Sequence, residues 1–501
     1  MPRFLSNGLI LSLSLLTCLV LAEGAIRLVD GLPLTDIDLP PAYSDIGRDT
    51  TMQHLDKVPL ATGVARDWFF IDPPPLPNRR AVPEQWLALD RQMDARLRAG
   101  SRFRPEDMFK AWNVSFIGNP CDKDFLADAP GRLFVFAPPH DEERPQFRFL
   151  PNATTPKGLV TNDFGWRGPP VRFARSERTV RIVFVGASVV AGAHQWGHAF
   201  PEPVEHWLNL WAATHWPNIR FEVMNAARES LNSTAIEAVV RQEVAPVRPD
   251  LVVYYEGANQ FNLTSLVKDL PKSMRPPTEP PEGFYGWLQR ASKHLALARR
   301  VQSLIGAAEP STGELAKPEY EIRWPAGLDE ADPDLRHPEL PLQLGTILPD
   351  LDRIRADLAR VDSEFALASY VWMVKDGMIL QPKWNRLLWE DINLRRFPFR
   401  YRDIERLVAF ENRVFAKYAA THRLSFVDIA GRMPLDPNLF SDAIHTTEAG
   451  MRLMAWIVLQ ELVPIVDKRL ASGAWPKPVP AMGDTHPAFT KAPREMTFTC
   501  E

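Results

Sequence analysis

The sequence predicts an α/β protein, with a parallel sheet of about five strands and helices packed on both faces. Three observations carry this expectation. Short β-branched and aromatic runs recur at residues 180–185, 220–224, 251–255, 365–372 and 425–428, the length and composition of buried strands. Helical apolar periodicity fills the stretches at residues 200–214, 235–244, 351–361, 404–421 and 447–463. The two kinds of segment alternate, and strands joined through helices run parallel.

Composition limits what else the chain can be. With 501 residues, 45% hydrophobic and 24% charged, it can bury a full core and has room for more than one domain. A formal net charge of -4 gives no electrostatic reason to expect nucleic acid as a partner. The 47 prolines stand beside 15 tryptophans, which points to long ordered loops more than to a solvated tail.

Residues 1–27 read as an export segment. Arg3 precedes an apolar run from Leu9 to Ala22, broken only by Ser and Thr. Val20-Leu21-Ala22 offers a cleavage site for a signal peptide. The same run can instead be retained as a membrane anchor if its helix continues through Ala25 and Ile26. Either way the bulk of the chain is expected outside the cytoplasm, where Cys121 and Cys500 can pair as a disulfide.

Residues 28–156 form an irregular accessory region. Pro73, Pro74, Pro75 and Pro77 exclude regular structure around them. A helix follows over residues 83–98, with Trp86, Leu87, Leu89, Met93 and Leu97 on its apolar side. Short strands are expected at residues 133–136 and 147–150, across a charged turn at 141–144. The region carries no chemistry-bearing cluster.

The core, residues 157–470, begins with the turn-rich stretch 161–169. There Gly165 and Gly168 supply turn conformations, and Arg167 is a candidate contact for an anion or a carbohydrate. Two excursions interrupt the alternation. Residues 265–346 hold a helix over 283–305 and then a proline-rich acidic stretch at 309–341. Residues 375–399 carry Trp384, Leu387, Leu388 and Trp389 ahead of Arg395 and Arg396. Both leave the sheet at the carboxyl ends of strands, so both can roof a site there. Residues 471–501 form a carboxyl-terminal tail.

The chemistry gathers at the strand ends. Residues 181–186 are a β-branched and aromatic run whose last residue, Gly186, opens Gly186-Ala187-Ser188 and so delivers a serine hydroxyl into the turn. Far downstream, Asp442 and His445 stand three residues apart, close enough to share one side of a turn. A serine hydroxyl needs a base within hydrogen-bond reach, and that base needs an orienting acceptor on its other ring nitrogen. Ser188, His445 and Asp442 fill those roles. His194 and His198 are spaced i, i+4, but no nearby carboxylate completes a metal set. They read as exposed loop histidines, and neither metal nor cofactor is expected.

Two more blocks complete the pattern: residues 225–230, Asn-Ala-Ala-Arg-Glu-Ser, after the second strand, and residues 256–260, Glu-Gly-Ala-Asn-Gln, after the third. With Gly-Ala-Ser188 and Asp442-x-x-His445 these four blocks, in this order, resemble the SGNH (GDSL) hydrolase superfamily, over roughly residues 161–463. The resemblance implies a three-layer α/β/α sandwich with a flavodoxin-like sheet. It implies Ser188 as nucleophile, His445 as base and Asp442 as its orienter. It also implies an oxyanion hole of the Ser188 amide, the Ser230 amide and the Asn259 side chain. Three positions depart from the pattern: Ala187 stands where the family usually has Asp, Ser230 where it has Gly, and Gln260 where Asp often follows the asparagine. A Gly-x-Ser-x-Gly elbow is excluded, because Val190 replaces its second glycine.

The resemblance implies an esterase that removes an acyl group, acetyl foremost, from a carbohydrate or other small polar ester. Glu256, at a strand end near Asn259, reads as a partly solvated loop carboxylate or as a candidate contact for a substrate hydroxyl. Two other readings fit the same residues. One is a cell-envelope O-acyltransferase with a polysaccharide acceptor; the other is a degenerate relative that binds glycan without turnover, as Ala187, Ser230 and Gln260 would allow. The apolar amino terminus and the Asn-x-x-Gly-x-Arg-Gly lead-in at residues 162–168 are similar to envelope-associated bacterial members. They imply an extracytoplasmic location, with the chain anchored by its first helix.

Overall fold

The computed structural model describes residues 2–29, 34–35, 51, 53–99, 134–136, 145, 147–172, 174–192, 196–268, 287, 291, 294–304, 313–380 and 385–478. Cys121, Cys500, His194 and Trp384 lie outside these residues, and with them the expected disulfide.

Five strands form the central sheet: β1 (Thr179–Gly186), β2 (Arg220–Asn225), β3 (Leu251–Tyr255), β4 (Glu364–Ala368) and β5 (Ser425–Val427). They lie in the order β2-β1-β3-β4-β5, and every neighbouring pair is parallel. Every residue of β1 and β3 is buried, as a sheet covered on both faces requires.

The helices, in chain order, are α1 (Pro2–Val29), α2 (Glu84–Ala99), α3 (Ser188–Ala191), α4 (Pro201–His215), α5 (Ser233–Val239), α6 (Ala296–Leu304), α7 (Leu344–Arg360), α8 (Arg386–Glu390), α9 (Tyr401–Thr421) and α10 (Glu448–Ala471). α4 packs on β2 and α10 packs on α4, forming one outer layer. α5 packs on α7, and α7 and α9 both reach β4. Right-handed crossovers put these three on the opposite face. The result is the three-layer sandwich expected from the alternation of runs.

Local chemistry sets the helix ends. Asn232 caps α5 by accepting from Ala235 N–H at 2.9 Å, which starts the helix ahead of the expected Ala235. Thr447 caps α10, its hydroxyl accepting from Gly450 N–H at 3.2 Å. α10 then runs beyond the expected end at Val463, to Ala471. α7 begins at Leu344, ahead of the expected Leu351, and holds Pro349 within it.

Two expectations fail for identifiable reasons. The run 365–372 leaves the ladder at Ala368, because Asn412 of α9 takes over as backbone partner. Its side chain accepts from Tyr370 N–H at 2.7 Å and donates to Tyr370 C=O at 2.9 Å. The helix expected over 283–305 is interrupted at His294 and Leu295 and restarts at Ala296. A carboxylate from elsewhere caps this restart: Glu23 of α1 accepts from Ala296 N–H and Leu297 N–H, both at 2.8 Å. Arg27 pairs with that carboxylate at 2.7 Å and donates to His294 C=O at 2.8 Å.

The amino-terminal region is joined to the same core. Phe69 packs edge-on to Trp456 of α10 at 5.7 Å, and Trp456 does the same to Trp207 of α4 at 5.3 Å. Such pairs add about 0.5–1.5 kcal/mol each beyond their buried area. Trp207 and Trp211 donate to the carbonyls of Ile71 and Thr62, both at 3.1 Å. The short strands Phe134–Phe136 and Phe147–Phe149 pair antiparallel, as expected.

Among the described residues, two helices are long and apolar enough to cross a membrane, and burial separates them. α10 is 72% buried and belongs to the core, whereas the stretch Leu11–Val29 of α1 is only 6% buried.

Candidate active site

The carboxyl ends of β1, β2 and β3 and the turn at residues 441–446 converge at one edge of the sheet. In this strand order β1 and β3 flank the point where chain direction reverses, the place open α/β sheets use for ligands. Gly186 ends β1 because nothing larger fits: a Cβ there would lie 2.3 Å from the Tyr255 carbonyl oxygen and 2.6 Å from Val190 Cγ2. This close approach lets the chain turn at once into α3, at whose first position Ser188 stands, half-buried.

The three residues expected to act together do meet. Ser188 Oγ donates to His445 Nε2 at 2.7 Å, and His445 Nδ1 donates to Asp442 Oδ2 at 2.7 Å. The other carboxylate oxygen, Asp442 Oδ1, accepts from the Ile444 and His445 amides at 2.9 and 2.8 Å. Every face of this carboxylate that the turn can reach is therefore used, and the imidazole has one orientation. Burial pushes the Asp442 carboxyl up, but the His445 charge and these hydrogen bonds outweigh it and hold it at about 2. Burial pulls the His445 imidazole down; the charge and hydrogen bond of Asp442, with Asp391 and Glu256 adding to them, leave it above its ordinary value. An imidazole bonded to a hydroxyl on one side and a carboxylate on the other can take the hydroxyl proton and carry the resulting charge.

The other expected residues are placed less simply. Ser230 is exposed and holds φ 58°, the left-handed conformation that glycine favours. Serine adopts the glycine-type backbone at this position of the second block. Asn259 sends one side-chain N–H to Leu231 C=O at 2.8 Å. Gln260 has its own task, its side-chain oxygen accepting from Ser233 N–H at 2.7 Å at the start of α5.

Two candidate substrate contacts are corrected. Arg167 is 2% exposed, pairs with Glu202 at 3.2 Å and donates to the carbonyls of Ala191 and Trp196 at 3.1 and 2.7 Å. It joins the carboxyl end of α3 to the backbone at Trp196 from inside the protein. Glu256 is 3% exposed, and its Oε1 accepts from the Ala258 and Asn259 amides at 2.8 and 2.7 Å. It shapes the turn that carries Asn259, and burial pushes its carboxyl up to about 7 despite those amides. His198 also differs from expectation. It is half-buried, and burial lowers its pKa although Glu202 opposes this.

Sequence reasoning missed two buried carboxyls here. Asp391, 7% exposed, reaches Ala443, next to Asp442. Glu411 of α9 is fully buried with neither side-chain oxygen hydrogen-bonded, and burial, together with the charge of Glu256, drives its pKa well up. Neither stands in a motif. Only the burial of Glu411 on the apolar face of α9 could have been anticipated from periodicity.

No protein-family model matches this sequence, and no curated protein matches it. Among solved structures, it is similar to an acetylxylan esterase from Geobacillus stearothermophilus, at 14% identity and TM-score 0.31, over 57% of this chain and 96% of that one. A lipase/acylhydrolase from Enterococcus faecalis gives the same identity, coverage and score. An alpha/beta hydrolase enzyme from the metagenome of Lake Arreo, Spain, matches at 13% identity and TM-score 0.30, over 56% of this chain and 94% of that one. Likeness at this level leaves the site to be read from the chain's own geometry.

Proposed function

We propose that this protein is a serine esterase of the SGNH type, which hydrolyses an acyl ester, acetyl foremost, on a carbohydrate or another small polar alcohol. The observation that carries the reading is the unbroken hydrogen-bonded chain Ser188–His445–Asp442 at the carboxyl edge of the sheet. Ser188 attacks the ester carbonyl while His445 takes its proton, and Asp442 holds the imidazole and steadies its charge. The Ser188 and Ser230 amides and the Asn259 side chain are assigned to the developing oxyanion. The alcohol leaves with the proton from His445, and water then releases the acid by the same steps.

The test is incubation of the full-length protein with acetylated oligosaccharides, followed by mass spectrometry. Free acetate supports the esterase reading. Acetyl groups moved to an added sugar acceptor would favour transfer, and no turnover by folded protein would sink both.

The reading carries a pH dependence. His445 must be neutral to accept the serine proton, and its pKa lies above the ordinary imidazole value. Protons therefore occupy it from a higher pH downward, and the acid limb of kcat/KM is expected above the usual imidazole midpoint of about 6.5. Activity that stayed flat down through that pH would contradict His445 as the base.

We also assign α1 to a membrane, with the rest of the chain on its outer side. Support comes from the 19-residue apolar stretch Leu11–Val29, exposed over most of its length and docked near its carboxyl end through Glu23 and Arg27. Cleavage after Ala22 would leave an α-ammonium on Glu23, beside Arg27 and the positive end of α6. Intact-mass measurement of the membrane fraction is expected to find the helix retained. A mature chain starting at Glu23 would refute the assignment.

A further inference from the structure

We propose that Asp391, carried by the segment between β4 and α9, is a positioning residue for the triad, holding the Asp442–His445 turn and setting a second carboxylate against that turn. Its catalytic consequence rests on the esterase reading; its electrostatic consequence does not.

The geometry centres on Ala443. Asp391 Oδ2 accepts from Ala443 N–H at 3.3 Å, and Ala443 C=O accepts from Met373 N–H at 2.7 Å. Both backbone groups of the residue next to Asp442 are therefore held, one by the extension of β4 and one by the segment at 375–399. Asp391 is itself fixed. Its C=O accepts from Arg396 N–H at 3.0 Å, and Arg396 Nε stands 3.8 Å from Asp391 Oδ2, too far for a hydrogen bond. The Arg396 guanidinium lies over the Trp372 ring at 4.2 Å, and that ring lies 4.7 Å from Phe261.

Charge follows from this placement. The charged groups acting on His445 include Asp442 on its own turn, Asp391 from the 375–399 segment and Glu256 from the turn after β3. Those acting on Asp391 are Asp442, Arg396 and Arg395. When His445 takes the serine proton, Asp442 stabilises the cation through a hydrogen bond and Asp391 stabilises it through space. The 375–399 segment would thus contribute to the basicity of the site. Arg396 sits at the outer side of Asp391, where it limits the cost of two carboxylates near one another.

The experiment is a titration of the His445 ring by NMR in full-length protein carrying labelled histidine, without substrate, beside pH–rate profiles on an ester. Asp391→Asn removes the charge and keeps an acceptor for Ala443 N–H. Asp391→Ser does the same with a smaller group. In each, the His445 midpoint is expected to move to lower pH, and the acid limb of activity to move with it. Asp391→Glu, which keeps the charge, is expected to stay with wild type. An unchanged midpoint in either folded neutral variant would overturn the proposal. So would failure of both neutral variants to fold, since Asp391 would then serve the fold first. Failure of the esterase reading would look different: wild type would turn nothing over, yet the midpoint would still move.

Discussion

Ser188→Ala is expected to abolish ester hydrolysis, lowering kcat by about a millionfold, the loss seen when the nucleophile of such a unit is removed alone. In the proposed mechanism the hydroxyl oxygen forms the bond to the acyl group, and in the hydrogen-bonded chain it meets His445 Nε2. Loss of one half-buried oxygen leaves the neighbouring Val189, Val190 and Ala191 packed as before, so the thermal midpoint should match wild type. Labelling by a fluorophosphonate, read as adduct mass, separates the possibilities. Wild type should carry one adduct and the variant none. Equal activity in the variant would remove Ser188 from the mechanism and the esterase reading with it.

Asp442→Asn is expected to cost about ten-thousandfold in kcat through the wrong imidazole tautomer. The structure says why the amide cannot turn to avoid this. The Ile444 and His445 amides both donate to Oδ1, so the asparagine must present its carbonyl there. Its NH2 group then faces His445 Nδ1, where Asp442 now accepts at 2.7 Å. Nδ1 becomes an acceptor, the ring proton moves to Nε2, and Nε2 can no longer take a proton from Ser188. Steady-state kinetics with the acetyl ester, at a pH well above the acid limb, measure the loss. A fall of less than about tenfold would mean that the ring is oriented by something other than Asp442.

The five strands were legible in the sequence because each is a compact run of residues that suit a pleated, doubly buried surface. The meeting of Ser188, His445 and Asp442 was legible because the chemistry it would serve requires particular residue types, and Asp442 and His445 share one turn. Less legible were features in which a side chain distant in sequence completes a backbone. Asn412 ends β4 early, and Glu23 starts α6 late; neither effect has a local signature. Arg167 misled for a related reason. A guanidinium beside two glycines reads as a contact for ligands, but Glu202 and two carbonyls occupy it inside the protein. Asp391 was hidden among the charges of its segment. The backbone at Ser230 was not legible from the substitution itself: serine stands where the family has glycine, yet at φ 58° it holds the left-handed conformation that glycine favours.

The joint between α1 and α6 has a mechanical consequence. One carboxylate grips two successive amides and one guanidinium grips the preceding carbonyl, so the joint resists twisting as well as pulling. Torque applied at the apolar end of α1 therefore passes into α6. The two helices are joined as by a bracket and not as by a string, so that α6 turns when α1 turns.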